Sequence, residues 1–275
     1  MLSALEPDAL GLAPADFSCR GYTEHTAPHA ALRGLVVGDY RHGRQHNCFA
    51  SWRVPAHPTV LLTVLHEPVD GRLTGFVKRE TRPYLVTAPP VSTAVCLTPL
   101  AAYRLFGPAA GEFETETVSL TDLFGGFGRR LGERIGAAAN NAERGAVLND
   151  FLVTRLSHAV LPTPQIVQAW RLILDTAGRM PIADIAAAIG WSHNHLIRRF
   201  KQHLGTTPKT MARLIRFQSL LRRINGPQRV HWGEVAAESG YSDQAHLHRD
   251  FHELAGVTPA RYRARAERCG CMGAE

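Results

Sequence analysis

Arginine, histidine and a side-chain amide, Asn194 in one and Gln244 in the other, recur on what would be the outer face of a helix in two stretches of the chain, GWSHNHLIRRFKQHLGTTP (190–208) and GYSDQAHLHRDFHELAGVTP (240–259). In each, a glycine, an aromatic residue and a serine precede a leucine and a phenylalanine four apart, and glycine, threonine and proline close the unit. Guanidinium, imidazole and amide groups carried on a rigid rod suit hydrogen bonding to a polyanion and to the edges of bases. The question is what would hold two such rods in one chain.

The elements around them answer it. PIADIAAAIG reads as a short helix with Ile182, Ile185, Ala186 and Ile189 facing inward, stopped by Gly190. Ser192 is a capping residue for a second helix on which Leu196, Phe200 and Leu204 form one buried stripe. His193, Asn194, Ile197, Arg198 and Lys201 then fall on other faces. The second copy repeats this with WGEVAAESG, Ser242 as the expected cap, and Leu247 and Phe251 in the stripe, leaving Gln244, Ala245, His246 and Arg249 outward. The spacing between copies is one residue larger after the cap than before it, so the turn or the first helical turn differs. PKTMARLIRFQSLLRRIN, between the units, reads as one continuous helix that holds them at a set separation. A short helix, a glycine turn and a polar-faced second helix is the helix-turn-helix layout, and two such units on one connector can enter successive major grooves about one helical turn apart.

IADIAAAIGWSHNHLIRRFKQHLGTTPK and GYSDQAHLHRDFHELAGVTPARYR resemble the two DNA-reading units of AraC/XylS-type transcription regulators, over about residues 165–265. The resemblance implies base contacts by Asn194, Ile197 and Arg198 in the first unit and by Ala245, His246 and Arg249 in the second. Arg198 and Arg249 are suited to bidentate pairing with guanine, whereas Ile197 and Ala245 can touch at most a thymine methyl. Arg199 and Lys201 fit a solvated face or a phosphate contact equally. Asp250 and Glu253 depart from the basic character expected there, which puts phosphate contact by the second unit in question. The resemblance further implies double-stranded DNA and RNA polymerase as partners, activation as the sign of control, and an N-terminal domain that senses a small-molecule effector or forms a homodimer.

Composition fits this division. Residues 1–162 carry 15 Lys+Arg against 15 Asp+Glu, so the other 16 basic and 9 acidic residues, and with them the whole formal charge of +7, lie in 163–275. A basic part beside a neutral one points to a polyanionic partner for the basic part alone. No apolar run reaches the roughly 18–20 residues of a membrane span, and the first residues lack the basic start of a secretory signal. Cys19, Cys48, Cys96, Cys269 and Cys271 are odd in number and irregularly spaced, which argues against a disulfide framework and for a reducing cytoplasm.

The fold expected is α+β. Up to about Leu120, short β-branched runs such as Thr59 to Leu65, cut by prolines and glycines, suggest a small barrel or sandwich, and the family resemblance implies a cupin-like barrel. From Thr121, read as a cap, two helices follow, with Leu123, Phe124, Phe127, Leu131 and Ile135 and then Ala146, Val147, Leu148, Phe151, Leu152 and Leu156 at helical spacing. This pair, Thr121–His158, would serve either as a dimer interface or as cover for its own sheet. Leu161-Pro162-Thr163-Pro164 marks the boundary between a sensor or dimerisation domain (1–160) and a DNA-binding domain (163–268), with 269–275 as a tail. The competing reading is a cupin-like metal-dependent enzyme with an appended DNA-binding domain. His25, His29, His42, His46, His57 and His66 invite it, but the cupin His-x-His motif with its downstream glutamate is absent around them, and no phosphate loop, dinucleotide fingerprint or nucleophile elbow is present. The expectation is therefore no metal, no cofactor and no catalytic residue.

Overall fold

The computed structural model describes residues 24–43, 52–70, 73–79, 81–86, 91–107, 118–157, 159–225 and 229–269. His46, Cys19, Cys48, Cys271, His158 and nearly all of the expected tail lie outside the described residues.

Among the described residues there are eight strands: β1 (Glu24–Thr26), β2 (Val36–Gly43), β3 (Trp52–Val54), β4 (Val60–Val69), β5 (Leu73–Arg79), β6 (Tyr84–Val86), β7 (Ser92–Leu97) and β8 (Val118–Ser119). Six form an antiparallel sheet in the order β1-β2-β7-β4-β5-β8, and β3 pairs with β6 as a separate ribbon. The sheet is open, with β1 and β8 as edges and no pairing between them among the described residues. The expected barrel is thus met only as far as an antiparallel sheet.

Register sorts the side chains onto two faces, because alternate residues of a strand point to opposite sides. Val36, Leu97 and Val60 lie side by side, as do Val95 and Leu62, and all five join the core beneath the helices α2 (Leu120–Phe124), α3 (Gly126–Ala137) and α4 (Asn141–Ser157). Val37, Cys96 and Leu61 form the neighbouring row on the other face and pack against the helical half. Burial on both faces explains why β4 reads as the near-continuous run VLLTVL rather than an alternation.

Two boundaries differ from expectation. Ser119, not Thr121, caps the first helix after the sheet, its hydroxyl accepting from the N–H groups of Thr121 and Asp122. Gly125, at φ +56°, then bends the chain into α3, so one expected helix is two. A helix within the expected all-strand region, α1 (Pro99–Phe106), starts at Thr98, whose side chain accepts from the Ala101 N–H, with proline at the first helical position. Leu131, Ile135, Leu148, Phe151 and Leu152 of α3 and α4 are buried on their own sheet, while Phe127 is exposed.

After residue 163 the chain is helical: α5 (Pro164–Asp175), α6 (Ile182–Ala188), α7 (His193–Leu204), α8 (Pro208–Ile224), α9 (Trp232–Glu238), α10 (Gln244–Ala255) and α11 (Pro259–Cys269). Thr163 precedes α5 with Pro164 at its start, but its hydroxyl makes no capping bond. Helix α8 is the continuous connector read from the sequence. Its Met211, Ala212 and Ile215 face the core of α5–α7, and its Leu214, Phe217, Leu220, Leu221 and Ile224 face the core of α9–α11. Among the described residues, no helix is long and apolar enough to cross a membrane.

Candidate nucleic-acid interface

The first unit is α6, a turn through Gly190, and α7. Ser192 caps α7, its Oγ accepting from the His195 N–H at 3.3 Å. Leu196, Phe200 and Leu204 are fully buried, so the stripe is seated as expected. That seating turns the remaining faces outward: His193, Asn194, Arg198 and Lys201 are exposed and Ile197 is half-buried. Arg198 Nη2 lies 3.2 Å from His195 Nδ1, and the His195 ring stands edge-on to Trp191 at 4.6 Å. Arg199 is half-buried and donates to Gln202 Oε1 at 3.1 Å.

The second unit is α9, a turn through Gly240, and α10. Its cap is Asp243 rather than Ser242: Asp243 Oδ1 accepts from the His246 N–H at 2.6 Å, and α10 begins at Gln244. The extra residue between the copies therefore sits in the turn and not in the helix. Counted from the caps, the helices coincide, with Leu247 and Phe251, both fully buried, in the places of Leu196 and Phe200. Gln244, Ala245 and Arg249 are exposed, in the places of His193, Asn194 and Arg198.

His246 is displaced by the same count. It occupies the place of His195, half-buried, with its ring edge-on to Tyr241 at 5.2 Å and Nδ1 3.1 Å from Ser242 Oγ. The counterpart of Ile197 is His248, which the sequence reading passed over; it is half-buried and stands edge-on to Trp232 at 5.9 Å. Lys201 corresponds to His252, also exposed. The register that sets Leu247 and Phe251 opposite Leu196 and Phe200 places both.

Asp250 and Glu253 point away from the outer face. Arg213 of α8 donates through Nε to Asp250 and through both terminal nitrogens to Glu253, at 2.8 and 2.6 Å. The Tyr241 hydroxyl donates to the other Asp250 oxygen at 3.1 Å. Hydrogen bonds from Arg213 hold the Glu253 carboxyl below the usual carboxylate range, and burial, with Asp250 beside it, raises the Tyr241 hydroxyl. These acids thus fasten α10 to the connector.

Arg216 ties the two units to each other. Its terminal nitrogens donate to the carbonyls of Gly240 and Gly178, both at 3.3 Å. Gly178, at φ +71°, admits no side chain, because a Cβ there would stand 2.1 Å from the Ala212 carbonyl oxygen.

The histidines of the sheet have other partners. His25 and His29 are exposed. His42 Nε2 lies 2.7 Å from Thr26 Oγ1 and its Nδ1 lies 3.0 Å from Thr93 Oγ1, which is also 3.0 Å from His66 Nε2. Burial lowers His42 and His66 to about 4 and His57 to about 3, so all three are neutral imidazoles near neutral pH. Among the described residues, no three His, Cys, Asp or Glu side chains converge as metal ligands would.

Residues 185–265 match the protein family described as a helix-turn-helix domain. An uncharacterised helix-turn-helix-type transcriptional regulator of Bacillus subtilis, YbfI, is 29% identical over 96 residues, 34% of each chain. The match thus spans about a third of that relative's length. Among solved structures, a lysine-to-alanine variant of apo ToxT from Vibrio cholerae is similar over 85% of this chain and 98% of its own, at 10% identity and a TM-score of 0.44. A ToxT structure with unsaturated fatty acid bound is similar over 80% and 96%, at 11% identity and 0.37. Both likenesses are too slight to bear on the fold.

Proposed function

We propose that the protein is a sequence-specific DNA-binding transcription regulator of the AraC type, a reading supported by the helix-turn-helix family match over residues 185–265. One observation carries the reading: two capped helices of the same build, each seated by a leucine–phenylalanine stripe, expose an arginine at the same place on one connector. Arg198 and Arg249 pair with guanine, and His193, Asn194, Ile197, Gln244, Ala245, His246 and His248 border them on base edges or sugars. Lys201 contacts phosphate, as does Arg199. Residues 163–268 form the DNA-binding domain. The residues before 160 regulate it, through a small-molecule effector or a homodimer contact, and RNA polymerase is the partner through which the regulator activates.

Selection of bound sequences from a random DNA pool by the full-length protein tests this. A motif of two boxes about one helical turn apart is expected. Arg198→Ala should weaken binding by about 1–3 kcal/mol and relax preference at one or two positions of one box, and Arg249→Ala should do the same in the other. An unaltered preference in both variants would remove these arginines as base readers. Absence of any motif, with the protein folded and with residues 163–275 alone equally silent, would overturn sequence-specific reading.

A further inference from the structure

The segment Pro55–Thr59, which joins β3 to β4, is buried along its whole length. Connections usually run over the surface, because a buried one must find partners for its backbone polar groups. This one finds them in the second helix-turn-helix unit. The Ala56 N–H donates to the Leu254 carbonyl at 2.7 Å, in the last turn of α10, where a helix leaves its own carbonyls without partners. The Ala56 carbonyl accepts from Gln218 Nε2 of the connector α8 at 2.9 Å. Ala56 itself is fully buried in the core of that unit, beside Phe217, Leu221 and Phe251.

The first unit meets the N-terminal part through different residues but at a matching point. Tyr103 of α1 stacks against His203 near the end of α7, with ring centroids 4.7 Å apart. Counted from the caps, His203 and Leu254 occupy the same position on their helices. The N-terminal part therefore grips both candidate reading helices at equivalent places, one through a ring and one through a backbone hydrogen bond.

We propose that Pro55–Thr59 is a clip by which the N-terminal part sets the separation and angle of the two reading helices, so that selectivity for the spacing between DNA boxes resides partly outside the helix-turn-helix domain. The proposal rests on the DNA-reading function above. With the clip closed, α10 is held by α8 and by the N-terminal part together. With it open, α10 is held only by the helices of its own unit, α8, α9 and α11, and tolerates a wider range of spacings.

The test uses the full-length protein, its selected two-box DNA, and versions of that DNA with one base pair added or removed between the boxes. Gln218→Met keeps the side-chain volume and deletes the donor to Ala56; Ala56→Pro deletes the N–H that reaches Leu254. In both, the sequence of each box should persist while the penalty for altered spacing falls by about three- to tenfold, the factor expected of one lost buried hydrogen bond. Slow amide exchange at Ala56 in the unsubstituted protein is a second expected result, which needs no variant. An undiminished spacing penalty in both variants, or exchange at Ala56 as fast as in an open loop, would overturn the clip while leaving DNA reading intact. Failure of the unsubstituted protein to select a two-box motif would overturn the DNA-reading proposal, and the clip with it.

Discussion

The two helix-turn-helix units share a backbone plan and differ in what fastens their second helices. Position for position, α7 carries Arg199 and Gln202 where α10 carries Asp250 and Glu253. In the first unit these side chains bond to each other along the helix, and α7 is held by an apolar core that extends into the N-terminal part through Val37, Cys96 and Leu100. In the second, both acids reach back to Arg213, and the core draws Ala56 from the N-terminal part. The difference shows how a duplicated unit can keep its outer arginine, Arg198 or Arg249, while its supports diverge. A polar fastening leaves α10 answerable to α8; an apolar one leaves α7 answerable to the sheet and α1.

The largest effects should follow from the parts the units hold in common. Phe200→Ala and Phe251→Ala each delete a fully buried ring and should each destabilise by about 3–5 kcal/mol. Hydrogen exchange should show the loosening confined to α5–α7 in one variant and to α9–α11 in the other. Equal loosening of both units by Phe251→Ala would mean that they form one cooperative body and that the comparison has no energetic content.

Arg213→Ala comes next and separates the units directly. It leaves the Asp250 carboxylate, whose side chain is 8% exposed, without its cation, at an expected cost of roughly 2–3 kcal/mol. The figure lies below that of a fully buried pair because the Arg213 side chain is itself 31% exposed. Exchange should quicken in α10 and not in α7. The reverse pattern would show that Arg213 acts through the connector rather than through the acids.

Why the sequence foretold the shared parts and not the divergent ones follows from the range of the signals. Helical period, a glycine stop and a capping residue are all local, so α6, α7, α8, α9 and α10 and their buried stripes were legible from the residues. Ser242 and Asp243 are adjacent and equally good caps, so local signals could not choose between them. Arg213 and Asp250 are 37 residues apart, and Ala56 and Gln218 are 162 apart; no periodicity reports such pairs. The sheet hid its register for a different reason: β4 is buried on both faces and offers no alternation to read. Helix α1 was missed although Thr98 and Pro99 announce it, because it lies among strand-like runs.

Acid should expose the difference at the matched position itself. Burial lowers the His203 imidazole below its ordinary value, whereas its counterpart Leu254 does not titrate. A group held neutral in the folded state contributes its full stability above the unfolded value of about 6.5 and loses it as pH falls below that. The first unit should therefore weaken as pH falls below about 6.5, by less than about 1.4 kcal/mol per pH unit from this group, and His203→Leu should flatten the slope. The sheet histidines titrate in the same window, so the informative quantity is the difference between the protein and its His203→Leu variant, read from exchange in α7. No difference would show that His203 leaves its site before it accepts a proton.

The smallest effect on stability should come from the caps. Serine and aspartate cap about equally well, so Asp243→Ser should leave stability nearly unchanged. Its effect on binding should be larger in kind. The N-terminus of a helix attracts phosphate, and Asp243, held ionised below the usual carboxylate range by the His246 N–H, places a negative charge there that Ser192 does not place on α7. Asp243→Ser should therefore tighten binding to two-box DNA and steepen its decline with salt between about 50 and 200 mM, whereas Ser192→Asp should do the opposite. If neither substitution moves the salt dependence, phosphate does not approach these helix ends. The two units would then differ only in how they are fastened and not in how closely they meet the DNA backbone.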